Sequence, residues 1–474
     1  MSGSATRVRI VATIGPASGD AATVDALLDA GLAVARVNCA HGTPESLAAL
    51  IALLRDRAAA RGAPLAILAD LGGPKLRVGR LAGGAAHLIG GEAFTLTTAD
   101  VVGDATRVHV DYPALPRDVR PGDAIFLNDG LIRLTVTTVD GTDVETRVEV
   151  GGELSDRKGL SVPGAALSTP SLTDKDLRDL DLLAAHPVDF VGLSFVRTGG
   201  DVDRLRTELA ARRLPAAIVA KIEKPQAVEA LDAILAAADA VMVARGDLGV
   251  ECDIAEVPVL QKRIIRAAIA AGVPVITATQ MLESMVASPR PTRAEASDVA
   301  NAVLDGSDAI MLSAETAAGR YPVEAVRVMR AIAAAAERDA DQTAPAPPAA
   351  GIGADATEAI GRSACLAATA ADAAAIVCLT SRGQTARAVA RCRPRQPIIA
   401  ATPDEATWRR LSLLWGVEAW RLAALPPDFD GAATGLLAML RQSGRVAAGA
   451  AVVITAGLPF GRGSATNTLR IERV

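Results

Sequence analysis

The chain has 474 residues, of which 50% are hydrophobic and only 2% aromatic, and its formal net charge is −5 at pH 7. This length predicts several domains, because single hydrophobic cores seldom grow beyond about 250–300 residues. The acidic balance and the scarcity of aromatic rings argue against a nucleic-acid-binding surface.

The cysteine usage and the hydropathy pattern favour a cytoplasmic protein. The five cysteines form no CxxC pair, which fits a reducing compartment and disfavours a zinc site. No run of about 18 apolar residues lacks charges or turn formers, so we expect no membrane span.

Short apolar runs with the composition of buried parallel strands recur along the first two thirds of the chain. We predict strands at 10–14, 34–38, 65–71, 190–195, 218–223, 240–245, 273–279 and 308–313. Amphipathic helical segments separate most of them, at 20–30, 45–61, 200–211, 226–237, 256–271 and 293–304. This alternation predicts a (β/α)8 TIM barrel, an α/β fold whose chemistry lies at the carboxyl ends of the strands.

The pattern changes twice along the chain. Between 79 and 158 it becomes Thr/Val-rich with period two, and Asp140-Gly141 is a hairpin signal. We therefore predict a small β-barrel lid domain at 79–158, inserted into a barrel domain of 1–78 and 159–340. A Pro/Ala-rich segment at 341–351 is typical of a linker, and alternating helices and strands predict a C-terminal α/β domain at 352–474.

Reactive side chains concentrate in the second half of the predicted barrel. Lys221 and Glu223 end the fifth strand, Arg245 and Asp247 follow the sixth, and Thr279 ends the seventh. Because these strand ends meet at one end of a barrel, the side chains are expected to converge there. Two carboxylates, a fixed cation and a hydroxyl describe a metal-assisted site for an anionic substrate. The neighbouring Lys224 is expected to be exposed to solvent.

Ordered motifs extend this pattern along the chain: IVATIGPAS at 10–18, RVNCAHG at 36–42, KIE at 221–223, ARGDLG at 244–249, TQMLESM at 279–285 and MLSAET at 311–316. With them the chain resembles the pyruvate kinases over almost its whole length. The resemblance implies a catalytic barrel, a lid, and a C-terminal domain for regulation and oligomerisation, usually in a homotetramer. It also implies Mg²⁺ or Mn²⁺ as cofactor and the glycolytic transfer of a phosphoryl group from phosphoenolpyruvate to ADP.

The resemblance assigns roles to individual residues. Glu223 and Asp247 match the metal ligands, although a structural pair of salt-bridged carboxylates is the alternative. The catalytic positions are Lys221, Thr279, Arg36, Ser313 and Glu315, and the substrate-binding positions are Arg36, Lys221, Gly246, Asp247 and Thr279. For Ser313 and Glu315, the alternative to a proton relay is a supporting polar role.

A further set matches nucleotide contacts: Asn38, His41, Arg77, Lys158 and Asp129. Two of these have ordinary alternatives. Lys158 is equally well explained as a solvated lysine at the domain junction, and Asp129 lies in an Asn-Asp-Gly segment that is typical of a β-turn.

The segment 70–78 departs from the many pyruvate kinases that bind K⁺. Ala40, Leu71 and Lys75 stand where Ser, Thr and Glu occur in the K⁺ site, and Gly72 replaces a common lysine. An ammonium at Lys75, with Asp70 nearby, would supply the charge of K⁺ and repel the ion itself. We therefore predict that K⁺ is not required.

In the C-terminal domain, a segment rich in hydroxyl groups runs from a predicted strand into a helix. It comprises Thr380, Ser381, Arg382, Gly383, Gln384 and Thr385, with Arg462 as an additional cation. Hydroxyls at a helix N-terminus can bind an anion, and the segment matches the loop that holds phosphorylated effectors in the family. A plain helix N-cap is the alternative.

Two other functions use similar residues. One is a metal-dependent barrel aldolase or lyase that acts on pyruvate enolates, but it explains neither the inserted domain nor Lys221. The other is a catalytically silent sensor of phosphorylated metabolites, against which the complete set of Lys221, Glu223, Asp247 and Thr279 argues.

Overall fold

A closed barrel of eight parallel strands forms the centre of the molecule. The computed structural model describes residues 6–165, 167–343, 355–425, 428–460 and 464–474. Barrel strands 1 to 8 are Arg9–Thr13, Leu32–Asn38, Ala66–Asp70, Phe190–Leu193, Ala217–Ile222, Ala240–Ala244, Val275–Ala278 and Ala309–Leu312. Each strand pairs with the next, and strand 8 pairs with strand 1. The predicted (β/α)8 barrel is confirmed.

Small apolar side chains fill the barrel, as the low aromatic content requires. The interior cluster is built mainly from Val, Ala, Leu, Ile and Met, with Phe190 as its aromatic member. The surrounding helices are Ala21–Ala30, Pro44–Ala60, Asp174–Ala185, Gly199–Ala211, Pro225–Glu229, Leu231–Ala237, Arg245–Glu251, Val257–Ala271, Arg293–Leu304, Ala314–Ala317 and Pro322–Thr343. Several begin at a side-chain cap, for example Thr43, Thr173 and Thr292, which accept backbone N–H groups of the first turn.

The inserted segment forms mainly antiparallel β-structure beside the carboxyl ends of the barrel strands. Its strands are Leu76–Arg77, Ala85–Leu88, Ala93–Thr97, Arg107–His109, Ala124–Leu127, Ile132–Asp140, Asp143–Val150, Gly152–Ser155 and Gly159–Ser161, and it includes the short helix Leu115–Asp118. Seven strands form one sheet and two form another. The hairpin predicted at Asp140-Gly141 is present. Its first and last strands, Leu76–Arg77 and Gly159–Ser161, pair with each other and lie just outside 79–158. The boundaries 79 and 158 stay a prediction.

The C-terminal domain is a five-stranded sheet with helices on both faces. Its strands are Ala375–Leu379, Ile398–Thr402, Val417–Arg421, Ala451–Ala456 and Thr468–Arg473, and its helices are Ala356–Ala370, Gln384–Arg391, Glu405–Arg410 and Phe429–Ser443. The predicted linker was wrong at 341–343, which continue the helix Pro322–Thr343. The rest of that segment lies outside the described residues.

The C-terminal domain closes the amino-terminal end of the barrel, opposite the predicted active site. Leu413 is 1% exposed and joins the interior cluster of the barrel. Around it, Arg393 pairs with Asp308 at 3.0 Å and Arg409 with Asp189 at 2.8 Å. Among the described residues, no helix is long and apolar enough to cross a membrane.

Candidate active site

Charged side chains of strands 2, 3 and 5 meet at the carboxyl end of the barrel. Arg36 Nε and Nη2 each lie 2.7 Å from Asp70 Oδ2, and Arg36 Nη1 donates to Thr13 Oγ1 at 2.9 Å. On the other side, Lys221 Nζ lies 3.4 Å from Asp70 Oδ1. Burial alone would raise the pKa of Asp70, but Lys221 and Arg36 outweigh it and hold that pKa below its usual value. Asp70 therefore stays ionised between two cations.

Lys221 is held as a buried ammonium ion. Its Nζ lies 2.8 Å from Glu223 Oε1 and donates to Ser194 Oγ at 2.8 Å. Burial would lower the pKa of Lys221, but the carboxylates of Asp70 and Glu223 reverse this and raise it. The positive charge at this point is consequently permanent at physiological pH.

Glu223 has the environment of a cation ligand. It is fully buried, and Oε2 accepts the backbone N–H of Phe195 at 2.7 Å. Among the described residues, Glu223 Oε1 accepts no hydrogen bond with a suitable angle, although the Lys221 ammonium lies 2.8 Å away. Burial, with the negative charge of Asp247, raises the pKa of Glu223, so an additional positive charge would stabilise its ionised form.

The donor set at this end of the barrel fits a magnesium-type ion. Glu223 and Asp247 offer hard carboxylate oxygens, and no group of three or more His, Cys, Asp or Glu side chains suited to a metal occurs among the described residues. Mg²⁺ commonly binds through one or two carboxylates and keeps several waters, whereas a structural zinc site needs four protein ligands. Glu223 and Asp247 would therefore suffice for Mg²⁺ or Mn²⁺.

Lys75 lies at Asp247 and not at Asp70. Its Nζ is 3.3 Å from Asp247 Oδ1 and 4.0 Å from Asp129 Oδ1 on the inserted domain. Arg36 and Lys221 already neutralise the Asp70 carboxylate, and the Lys75 ammonium pairs with Asp247 instead. Lys75 thus connects the inserted domain to the candidate metal ligand.

Thr279 adopts an unusual backbone conformation beside Gly246. Its φ is +70°, which is strained for a β-branched residue. Thr279 Oγ1 accepts the Gly246 N–H at 2.7 Å and donates to the Ala278 carbonyl at 2.6 Å. In this conformation the Thr279 hydroxyl is directed towards the first turn of the helix Arg245–Glu251.

Arg245 maintains this conformation and does not supply the fixed cation of the site. Its guanidinium donates to the carbonyls of Thr279 at 2.7 Å and Gln280 at 3.3 Å, and pairs with Asp298 at 2.6 Å. The sequence places Arg245 in the reactive cluster, but nothing local indicates that its side chain turns toward the next loop.

Glu315 joins the loops that follow strands 7 and 8. It is fully buried, and its carboxylate accepts the N–H of Leu282 at 3.0 Å and of Ser313 at 2.7 Å. This matches the supporting role considered as an alternative. Ser313 Oγ is buried and has no hydrogen-bond partner among the described residues, so its place in a proton relay stays a prediction.

Comparison with known proteins identifies the family and the fold. A family model described as the pyruvate kinase barrel domain matches residues 5–326, and one described as the pyruvate kinase alpha/beta domain matches 358–472. The chain belongs to the pyruvate kinase family. It is therefore a phosphotransferase, as predicted.

Two curated relatives and one solved structure match this chain over almost its whole length. A pyruvate kinase of Geobacillus stearothermophilus is 44% identical, over 98% of this chain and 80% of its own length. One from Methylorubrum extorquens is 43% identical, over 99% and 97%. A crystal structure of a pyruvate kinase from Cryptosporidium parvum superposes with a TM-score of 0.90 at 34% identity, and the match covers 99% of this chain and 96% of the other.

Three positions that match nucleotide contacts of the pyruvate kinases lie at or after the end of strand 2 and in the inserted domain. Asn38 Oδ1 accepts the Ala40 N–H at 3.0 Å, and His41 is exposed. Arg77 donates to the Arg157 carbonyl at 3.0 Å. These contacts shape loops, and they leave the nucleotide roles as predictions.

Two other predicted nucleotide contacts belong to the inserted domain. Asp129 is in a turn of three consecutive positive-φ residues, Asn128, Asp129 and Gly130. Lys158 is partly buried, and within the described part of the chain its ammonium makes no hydrogen bond or ion pair. A cleft of about 680 Å³ that includes Asp129, Lys75 and Asp247 in its lining lies between this domain and the barrel.

Lys224 was expected to be exposed, and that expectation was wrong. Its Nζ lies 2.8 Å from Glu251 Oε1 and 5.8 Å from the centre of the Phe195 ring. Only 12% of the Lys224 side chain is exposed, because Glu251 is itself buried and requires a cation.

The loop that matches the family's effector site borders a cavity of about 500 Å³ in the C-terminal domain. Thr380 Oγ1 accepts the Gly383 N–H at 2.9 Å, and Gly383 has a φ of +81°. Thr385 and Thr466 share a hydrogen bond of 2.7 Å between their hydroxyls. The cavity lining includes Thr380, Ser381, Arg382, Gln384 and Thr385. Arg462 lies outside the described residues.

Proposed function

We propose that this chain transfers the phosphoryl group of phosphoenolpyruvate to ADP, giving pyruvate and ATP in cytoplasmic glycolysis. The observation that carries the proposal is the buried Lys221 ammonium, held between Asp70 and Glu223 at the carboxyl end of the barrel. A permanent cation next to a two-carboxylate cation site is what phosphoryl transfer requires, since catalysis there depends on positioning and charge stabilisation.

In this proposal, the residues around the phosphoryl group hold it and neutralise its charge. Lys221 and Arg36 face the phosphoryl oxygens, and Glu223 and Asp247 hold Mg²⁺ or Mn²⁺, which polarises those oxygens when bound. The Gly246–Asp247 backbone receives the substrate carboxylate; its Gly246 N–H, now bonded to Thr279 Oγ1, would then exchange partners.

The second half of the reaction is protonation of the enolate at carbon. Thr279 is a weak acid, so we assign its hydroxyl the positioning of a water that delivers the proton. Ser313 Oγ, which is buried and finds no partner in the described part of the chain, extends this relay, and Glu315 fixes the backbone of Ser313. On the ADP side, the contacts are Asn38, His41, Arg77, Lys158 and Asp129.

The charge of Lys75 supports K⁺ independence. It adds an ammonium 3.3 Å from Asp247, and Ala40 carries no side-chain oxygen for K⁺. A monovalent cation would lack this ligand and meet repulsion from the ammonium. We expect equal rates in K⁺ and in Na⁺ or Tris, measured by coupling pyruvate formation to NADH oxidation with phosphoenolpyruvate, ADP and Mg²⁺. Strong activation by K⁺ would refute this part.

Replacement of Lys221 tests the central assignment. Lys221→Met should abolish ATP formation and leave the far-ultraviolet circular dichroism intact. The matched control is Lys262→Met, because Lys262 pairs with Asp305 on the outer surface of the barrel and should be dispensable for turnover. Substantial activity in Lys221→Met, or equal losses in both variants, contradicts the proposed role.

The C-terminal domain suggests regulation and assembly. We propose that 380–385 binds a phosphorylated effector, because the pocket beside Arg382 joins hydroxyls to the N-terminus of the helix Gln384–Arg391. We also propose a homotetramer, which is the usual assembly of the family. Addition of sugar phosphates or AMP should lower the KM for phosphoenolpyruvate, and light scattering gives the mass. An unchanged KM favours the plain N-cap.

A further inference from the structure

Two cysteines face each other across a helix interface of the C-terminal domain. Cys365 lies on the helix Ala356–Ala370, and Cys392 caps the carboxyl end of the helix Gln384–Arg391. They are 2% and 7% exposed, and both thiols lie at the same turn of the second helix: Cys365 Sγ donates to the Val389 carbonyl at 3.8 Å and Cys392 Sγ to the Ala388 carbonyl at 3.5 Å. Neither takes part in the site at the other end of the barrel.

The backbones of the two helices approach unusually closely. Short loops join both helices to the strand Ala375–Leu379, so both run opposite to it and parallel to each other. An added Cβ on Gly361 would lie 2.9 Å from the Ala388 Cβ, which leaves no space for a side chain. Cys365 and Cys392 each follow this contact by four residues, about one helical turn. Disulfides require Cα atoms about 4.4–6.8 Å apart, a spacing that such glycine-mediated packing favours.

The two thiols are chemically different. The neighbouring Cys365 thiol, aided by Arg362 and Arg391, lowers the pKa of Cys392 to about 7 in spite of burial. The same interaction raises the pKa of Cys365. Cys392 is thus the nucleophile near neutral pH, and Cys365 is the thiol that completes the pair.

Cys392 is also placed at the joint between the C-terminal domain and the barrel. Its neighbour Arg391 donates to the Ala270 carbonyl of a barrel helix. One residue further on, Arg393 binds Asp308 at 3.0 Å and the Gly306 carbonyl at 2.7 Å. A covalent bond at Cys392 would therefore constrain the helix that begins at the 380–385 loop and ends at this joint.

We propose that Cys365 and Cys392 are a redox modification site that forms a reversible disulfide with hydrogen peroxide as oxidant. The Cys392 thiolate sulfur attacks one peroxide oxygen, the O–O bond breaks, and the departing hydroxide takes up a proton to form water. The Cys365 sulfur then attacks the Cys392 sulfenic acid, the S–O bond breaks, and the hydroxide leaves with the Cys365 proton as a second water. Two thiols lose two electrons and peroxide is reduced to two waters.

The test is thiol mapping of the full-length protein. After treatment with hydrogen peroxide and alkylation, peptide mass spectrometry should detect a Cys365–Cys392 cross-link, with two of the five thiols lost. Dithiothreitol should restore both thiols. Absence of this cross-link, or one that appears only in denatured protein, overturns the proposal.

Matched serine variants separate this pair from the other cysteines. Cys365→Ser and Cys392→Ser should each abolish the cross-link, whereas Cys378→Ser should retain it, because burial raises the pKa of Cys378 and keeps it unreactive. Thermal unfolding and basal activity confirm that each variant is folded. A cross-link that survives in Cys392→Ser, or one that joins Cys252 of two chains, also contradicts the assignment.

Discussion

Replacement of Arg245 should move the Thr279 hydroxyl without changing the charged side chains that form the active site. Arg245→Met removes the guanidinium that binds the Thr279 and Gln280 carbonyls and pairs with Asp298. Methionine retains much of the apolar length of the side chain, so the change mainly affects polar contacts. We expect the strained loop to relax toward a conformation with negative φ at Thr279.

The structure gives the size of this effect. Removal of one partner from a buried ion pair costs about 3–5 kcal/mol, and the lower end applies because Asp298 is 37% exposed. A positive φ at a β-branched residue stores about 1–3 kcal/mol, which relaxation of the loop would recover. The expected net loss of unfolding free energy is therefore about 0–2 kcal/mol. A displacement of the hydroxyl by about 1 Å can lower kcat about 100-fold.

Urea unfolding and steady-state kinetics test both quantities. The control is Arg290→Met, since Arg290 is an exposed arginine on the loop that follows strand 7. We expect the control to match the parent protein, and Arg245→Met to lose kcat with little change in the KM for ADP. If Arg245→Met retains the parental kcat, the argument that Arg245 positions Thr279 is incorrect.

Two further predictions concern stability. Burial alone would raise the pKa of Glu295, but hydrogen bonds from Ser284 and Thr292 lower it. The ionised Glu295 therefore stabilises the fold fully above the unfolded pKa of about 4.3. This contribution disappears as the pH falls through the lower folded pKa. Glu295→Gln should cost about 1 kcal/mol at pH 7, and urea titrations should show this difference shrink as the pH falls below the unfolded pKa; a constant difference contradicts the linkage. Leu413→Ala should cost about 2–5 kcal/mol of unfolding free energy by cavity formation, whereas the exposed Leu366→Ala should be nearly neutral. Equal urea midpoints for the two variants would refute the packing of Leu413 against the barrel interior.

Local sequence patterns predicted the barrel well because each strand is a short apolar run between helices. The contact between Lys221 and Glu223 has a local cause, since residues two apart on a strand share a face. The partner of Lys75 did not follow, because Asp247 is 172 residues away and the choice depends on which carboxylates are already occupied. The side-chain direction of Arg245 was likewise hidden, since a positive φ at Thr279 is not encoded in any local pattern.

The charges at the mouth of the barrel balance one another. Arg36, Lys221 and Lys75 are positive, and Asp70, Glu223 and Asp247 are negative, so these six side chains sum to zero. Removal of any one of them leaves a net charge that its neighbours cannot neutralise, whereas simultaneous removal of an opposite pair restores the balance. Electroneutrality therefore makes the six positions interdependent: a substitution at one determines which substitutions the other five can accept.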